Sequence, residues 1–142
     1  TLAADCPVLI LPHENTPALS FEHALVCWKN RREAIRAIRG SLDMLRAFKR
    51  VTVLTVDPPE HDYVPGIDIG TFLSRHGLEA TMVSDLSDDD SPGEIILAKA
   101  RELGCDLIVM GAYGRSKMHE AMFGGTTRHV LTRLDRPLLT AH

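Results

Sequence analysis

Short runs of aliphatic and β-branched residues alternate, along most of this 142-residue chain, with segments whose apolar residues recur every three to four positions. That alternation constrains the fold most, because strand-helix-strand order imposes βαβ units and a mainly parallel sheet covered by helices on both faces. Ala24 to Trp28 reads as a strand. Arg31 to Lys49 reads as a helix with Ala34, Ile35, Ile38, Leu42, Leu45 and Phe48 on one stripe, and Arg50 to Val56 as a second, β-branched strand. Asp57-Pro58-Pro59 ends that strand. A loop over 60–66, a helix from Ile67 to His76 stopped by Gly77, and a strand from Leu78 to Ser84 follow. Ser91-Pro92-Gly93-Glu94 has the form of a capping box with Pro in the first turn, so the next helix is expected to run to Leu103 and stop at Gly104. Asp106 to Met110 is the fourth strand, Gly124 to Leu134 the fourth helix, and Pro137 to Ala141 the last strand.

Ahead of this series, Pro7 to Leu11 is strand-like and is closed by Pro12, and 13–20 reads as a linker. The expected division is therefore an N-terminal strand and linker over 1–20 and one α/β domain over 21–142. The chain begins with Thr rather than Met, so a fragment or processed product is expected. Apolar content of 44% and charged content of 25% are those of a soluble globular domain. No apolar run approaches the length of a membrane span, and no signal peptide is visible. A formal charge of −3 argues against general nucleic-acid or anionic-membrane binding. Cys6, Cys27 and Cys105 are odd in number and sit in or beside apolar runs, which favours reduced core thiols in a cytoplasmic protein. The acidic run Asp85 to Asp90 reads as a solvated loop.

The chemistry-bearing stretch is Cys105 to His129. A buried strand ends at Met110, Gly111 and Gly114 punctuate the turn, and a helix begins near Gly124. Glycines between a strand end and a helix start let the backbone approach a ligand, and the helix N-terminus offers free N–H groups to an anion. The segment is neither a Walker A loop nor a G-x-G-x-x-G dinucleotide fingerprint. On a parallel sheet, ligands bind beyond the C-terminal strand ends where strand order reverses, which makes the Trp28-Lys29-Asn30 turn the neighbour of this loop. Lys29, Arg31, Arg32, Arg115 and Lys117 are then expected to converge on one rim and favour an anion. No catalytic constellation is visible: His119 and His129 lack a sequence-evident partner, and Ser116, Thr126 and Thr127 carry no sign of activation. Asp57 does not make a phospho-receiver, because no Lys accompanies the last strand.

Gly111-x-x-Gly114, nine residues, then Gly124 followed by Gly125, Thr126 and Thr127, resembles the nucleotide-binding segment of the universal stress protein family. The resemblance implies five strands in the order 3-2-1-4-5, with the N-terminal strand as an extra. It implies ATP or another adenine nucleotide as ligand, or otherwise phosphate or sulfate, with no metal beyond nucleotide-bound Mg. Carried over position by position, the binding residues are Lys29, Asn30, Val56, Met110, Gly111, Gly114, Arg115, Gly124, Gly125, Thr126 and Thr127. Lys29 stands where binders have Asp and can only donate, leaving Asn30 as an acceptor one position on. Gly125 intervenes before the hydroxyl residues. Family members commonly dimerise through the last strand, here Arg136 to Ala141, an uncovered edge to which Pro7 to Leu11 is a candidate partner in cis or from a second chain. Residues 1–12 resemble the closing strand of a preceding family domain, so a homodimer or a tandem pseudo-dimer is implied. Three readings stay open: a non-catalytic anion- or nucleotide-binding domain, a ligand-free interaction module, and a slow ATP hydrolase.

Overall fold

The structure is a computed structural model that describes residues 6–14, 18–57, 68–112 and 125–141. Its elements in chain order are β1 (Val8–Ile10), β2 (His23–Cys27), α1 (Arg32–Leu45), β3 (Arg50–Val56), α2 (Ile69–Arg75), β4 (Thr81–Asp85), α3 (Pro92–Glu102), β5 (Leu107–Gly111), α4 (Gly125–Thr132) and β6 (Leu138–Ala141). One sheet joins all the strands in the order β1-β6-β5-β2-β3-β4. The pairs β2/β3, β2/β5, β3/β4 and β5/β6 are parallel, and only β1/β6 is antiparallel. Counted from β2, the strands β4-β3-β2-β5-β6 keep the order 3-2-1-4-5; the expectation of a five-stranded sheet is corrected to six strands, because the extra N-terminal strand β1 is hydrogen-bonded into the sheet as its edge beside β6.

Residues on the two faces of each strand alternate between two cores, as the period of two demands. Ala24, Val26, Val53 and Val109 point to one face, where they meet Ala37, Ile38 and Leu45 of α1 and Ile69 and Leu73 of α2. Leu25, Leu54, Ile108 and Leu138 point to the other, against Ile96, Leu97 and Ala100 of α3 and Val130 of α4. A sheet buried on both sides needs apolar residues at consecutive positions, which is why β2 and β5 read as unbroken aliphatic runs.

Helix ends follow local chemistry. Ser91 and Glu94 form a reciprocal capping box at α3, with Glu94 N–H donating to Ser91 Oγ at 3.3 Å and Ser91 N–H to the Glu94 carboxylate at 3.4 Å. Asp68 caps α2 by accepting from Gly70 N–H at 3.0 Å. Gly77 and Gly104 take φ of +74° and +63° to end α2 and α3, a conformation that side-chain-bearing residues adopt at a cost. Helix α1 stops at Leu45, shorter than the stripe to Lys49 suggests. Phe48 is nevertheless buried, in the turn beyond the helix and against the ring of Phe21.

Of the alternatives for the last strand's edge, pairing in cis is the one present: β1 pairs along β6 from Val8↔Thr140 to Ile10↔Leu138, and every β6 residue is buried. One further expectation changes. All three cysteines are free, but Cys6 is exposed rather than part of the core. A half-buried polar cluster also pins the start of β2: the Asp106 carboxylate accepts from Ser20 N–H and Ser20 Oγ at 2.8 Å and from His23 N–H at 2.9 Å. The His23 ring bridges Leu103 O at 3.1 Å and Thr52 Oγ1 at 2.7 Å. No helix among the described residues is long and apolar enough to cross a membrane.

Candidate functional site

Because β2, β3 and β5 are parallel, their C-terminal ends lie together, and β2 is where the chain turns back: β3 and β4 lie to one side of it, β5 and β6 to the other. A pocket of ≈ 450 Å³ opens there. Its floor is Cys27, Leu54, Val56 and Met110 from the strand ends, and its walls come from Trp28, Lys29 and Arg31 after β2, Glu33 and Ala34 at the start of α1, Pro92 and Ile96 of α3, and Gly125, Thr126 and Thr127 at the start of α4.

Gly111 sets how closely this rim can pack. A Cβ built on it would lie 2.6 Å from both Ala34 N and Glu33 C, so only a residue without a side chain lets the end of β5 lie against the first turn of α1. Gly125 is different: a Cβ there meets nothing within 4 Å among the described residues. The loop after β2 is held by Trp28 N–H donating to Leu54 O at 2.8 Å and Arg31 N–H to Lys29 O at 2.6 Å.

The structure brings Lys29, Val56, Met110, Gly111, Gly125, Thr126 and Thr127 around one cavity. Asn30 is exposed and lies outside the lining, and Arg31 lines the pocket while Arg32 does not. Gly114, Arg115, Lys117, His119 and Gly124 lie outside the described residues. The rim is also less one-sidedly basic than expected, since Glu33 and Asp57 set two carboxylates against Lys29 and Arg31. Sequence reasoning placed neither acid in the site. Asp57 read as a turn residue, yet its position directly after a strand parallel to β2 was the signal that could have placed it.

Electrostatics distinguish the groups. Hydrogen bonds from the Ser87 hydroxyl and backbone, aided by the charge of Lys29, hold the Asp57 carboxyl below the usual carboxylate range. Burial pushes the Cys27 thiol up to about 12, with Cys105 adding to the effect, so it is a neutral packing group at pH 7. His129 does not face this pocket. It lines a second cleft of ≈ 400 Å³ beside α3, with Nε2 3.9 Å from the Glu94 carboxylate and 2.8 Å from Arg133 Nη1. Among the described residues, no three of His, Cys, Asp and Glu come together as a metal site.

Comparison with known proteins bears on the family and the fold. The family model described as the universal stress protein family matches residues 20–142. The chain belongs to that family. The universal stress protein E homolog of Haemophilus influenzae is 26% identical over 109 residues, 71% of this chain and 35% of that protein. In the crystal structure of a universal stress protein from Archaeoglobus fulgidus, 21% identity and a TM-score of 0.73 extend over 94% of this chain and 49% of that one. UspA from Lactobacillus plantarum superposes at a TM-score of 0.66 with 17% identity, covering 86% of this chain and 98% of that one. The universal stress protein fold is thus shared along nearly the whole chain, while the chain spans about a third of the Haemophilus protein and about half of the Archaeoglobus one.

Proposed function

We propose that this universal stress protein domain is a non-catalytic binding module that takes a nucleotide or another phosphate-type anion in the pocket at the β2/β5 switch point. ATP or another adenine nucleotide is the first candidate, and phosphate or sulfate the simpler one; the only metal the reading calls for is Mg carried in by the nucleotide. The observation that carries it is the meeting of Lys29, Gly111 and the Gly125-Thr126-Thr127 helix start around one cavity. The first N–H groups of a helix have no partner within it, and together with hydroxyls and a nearby cation such groups suit phosphate oxygens. Val56, Leu54 and Met110 supply an apolar floor that fits a flat, uncharged group.

Thermal denaturation with ATP, AMP, inorganic phosphate and no ligand tests this, because a ligand bound only by the native state raises the melting temperature. A rise with ATP and AMP beyond that with phosphate supports nucleotide binding, and an equal rise with every anion supports an unselective pocket. No rise with any of them refutes the reading.

A second reading, pairing through a sheet edge, is favoured by β1, where Leu9 is 40% and Leu11 55% exposed although both lie in or beside a strand. An exposed aliphatic edge strand invites another strand. In this reading β1 joins the domain to a second copy, or to a preceding domain of a longer chain. Leu9→Lys should then abolish any dimer on sizing chromatography; a dimer that persists refutes it.

A further inference from the structure

The lining of the pocket is chemically unequal from end to end. At the β5 end stand Gly111 and the α4 start, uncharged groups that offer backbone N–H donors and the Thr126 and Thr127 hydroxyls, whereas the Asp57 carboxylate stands at the β3 end as a charged group that only accepts. Strands β3 and β5 flank β2 on opposite sides, so the two ends are separated by two strand spacings, about 10 Å.

Asp57 is held in place unusually firmly for an exposed side chain. Its backbone takes φ of +50°, and its N–H donates to Asp85 O at 2.9 Å. One carboxylate oxygen accepts from Ser87 N–H at 2.7 Å and the other from Ser87 Oγ. Each carboxylate oxygen can accept two hydrogen bonds, so Ser87 leaves acceptor capacity on both. The neighbouring Lys29 partly offsets the charge, but a fixed carboxylate still repels phosphate from this end.

Resting on the anion-binding reading above, we propose that Asp57 selects the ligand: it accepts a hydrogen bond from a neutral donor, an amino or hydroxyl group such as a nucleotide carries, about 10 Å from the phosphate. It thereby disfavours a bare polyphosphate lying across the whole pocket. The ligand class is a phosphate ester with a neutral hydrogen-bond donor at its far end, oriented with the ester's phosphate at α4 and the donor at β3.

The test is calorimetric titration of wild-type protein and Asp57→Asn with ATP and with inorganic triphosphate. Asn tolerates the left-handed conformation and keeps the shape, so the fold is retained, and a melting curve without ligand checks this. Wild type is expected to prefer ATP. In Asp57→Asn the preference should fall by about tenfold, the size of a hydrogen bond to a charged group, through weaker ATP and tighter triphosphate binding. Ser87→Ala, which frees one side of the carboxylate, should lower it less. An unchanged preference in Asp57→Asn, or a wild-type protein that binds triphosphate as tightly as ATP, overturns the role of Asp57 while leaving the anion pocket standing. Failure of wild type to bind either compound overturns both.

Discussion

Replacing Gly111 by Ala tests how the site is built. The added Cβ would lie 2.6 Å from Ala34 N and from Glu33 C and 2.9 Å from Glu33 Cβ. Two of these are main-chain atoms in the first turn of α1, so no rotamer change relieves them. Reaching ordinary contact at 3.4 Å requires the start of α1 to retreat by about 0.8 Å, the difference between 3.4 and 2.6. Helix α1 is anchored by the buried Ala37, Ile38 and Leu45, so this movement strains the core as well as the rim. Overpacking of this kind costs about 1–3 kcal/mol. At roughly 3 °C per kcal/mol for a domain of this size, the melting temperature should fall by about 3–9 °C. Circular-dichroism melting provides the measurement, with Gly125→Ala as the control, since a Cβ there meets nothing among the described residues. A Gly111→Ala protein that melts within a degree of wild type would falsify the claim that α1 and β5 touch through this glycine.

A Cβ on Gly40 would lie 2.0 Å from Pro7 Cγ, so Gly40→Leu should push the N-terminal arm off α1 and lower the melting temperature; a melting curve like that of wild type would argue that the arm does not pack on α1. Asp106 has its carboxyl opposed by burial, yet hydrogen bonds from His23 N–H and Ser20 hold it below the ordinary value of 3.8. Its contribution is therefore complete above pH 3.8 and is lost as pH falls through the lower folded value. Asp106→Asn should cost about 1–3 kcal/mol in urea unfolding at pH 7, with the difference from wild type shrinking in acid; a pH-independent difference would count against it. Lys29→Asp should raise discrimination for ATP over triphosphate, and equal discrimination in wild type and variant would remove Lys29 from the site.

Most of the fold was legible because two local signals, aliphatic runs and helical stripes, were each backed by end chemistry: the Ser91-Pro92-Gly93-Glu94 cap and the stops at Gly77 and Gly104 lie where their residues dictate. Helix α1 was read too long because Phe48 fits the stripe yet is buried from a turn. The membership of β1 in the sheet was visible only as a candidate, since pairing of a three-residue strand is decided by tertiary contact and not by its own pattern. At the site, Gly111, Gly125 and the strand ends Val56 and Met110 could be expected near one another because parallel topology gathers strand C-termini. Asp57 and Glu33 were missed because a carboxylate after a strand or in a first helical turn has an ordinary local role as turn former or dipole partner. The hydrogen bonds from Ser20 and His23 to Asp106 join positions more than eighty residues apart, which no local pattern encodes.

The central claim, that the pocket above β2 and β5 holds an anion, is tested most directly by recording backbone amide resonances during titration with ATP. Saturable shifts are expected around the pocket, at Lys29, Val56, Asp57, Gly111 and the α4 start from Gly125 to Thr127, with the far end of the sheet at the start of β4 unmoved. Amide resonances at those positions that stay fixed at millimolar ATP, or shifts spread evenly over the surface, would contradict it.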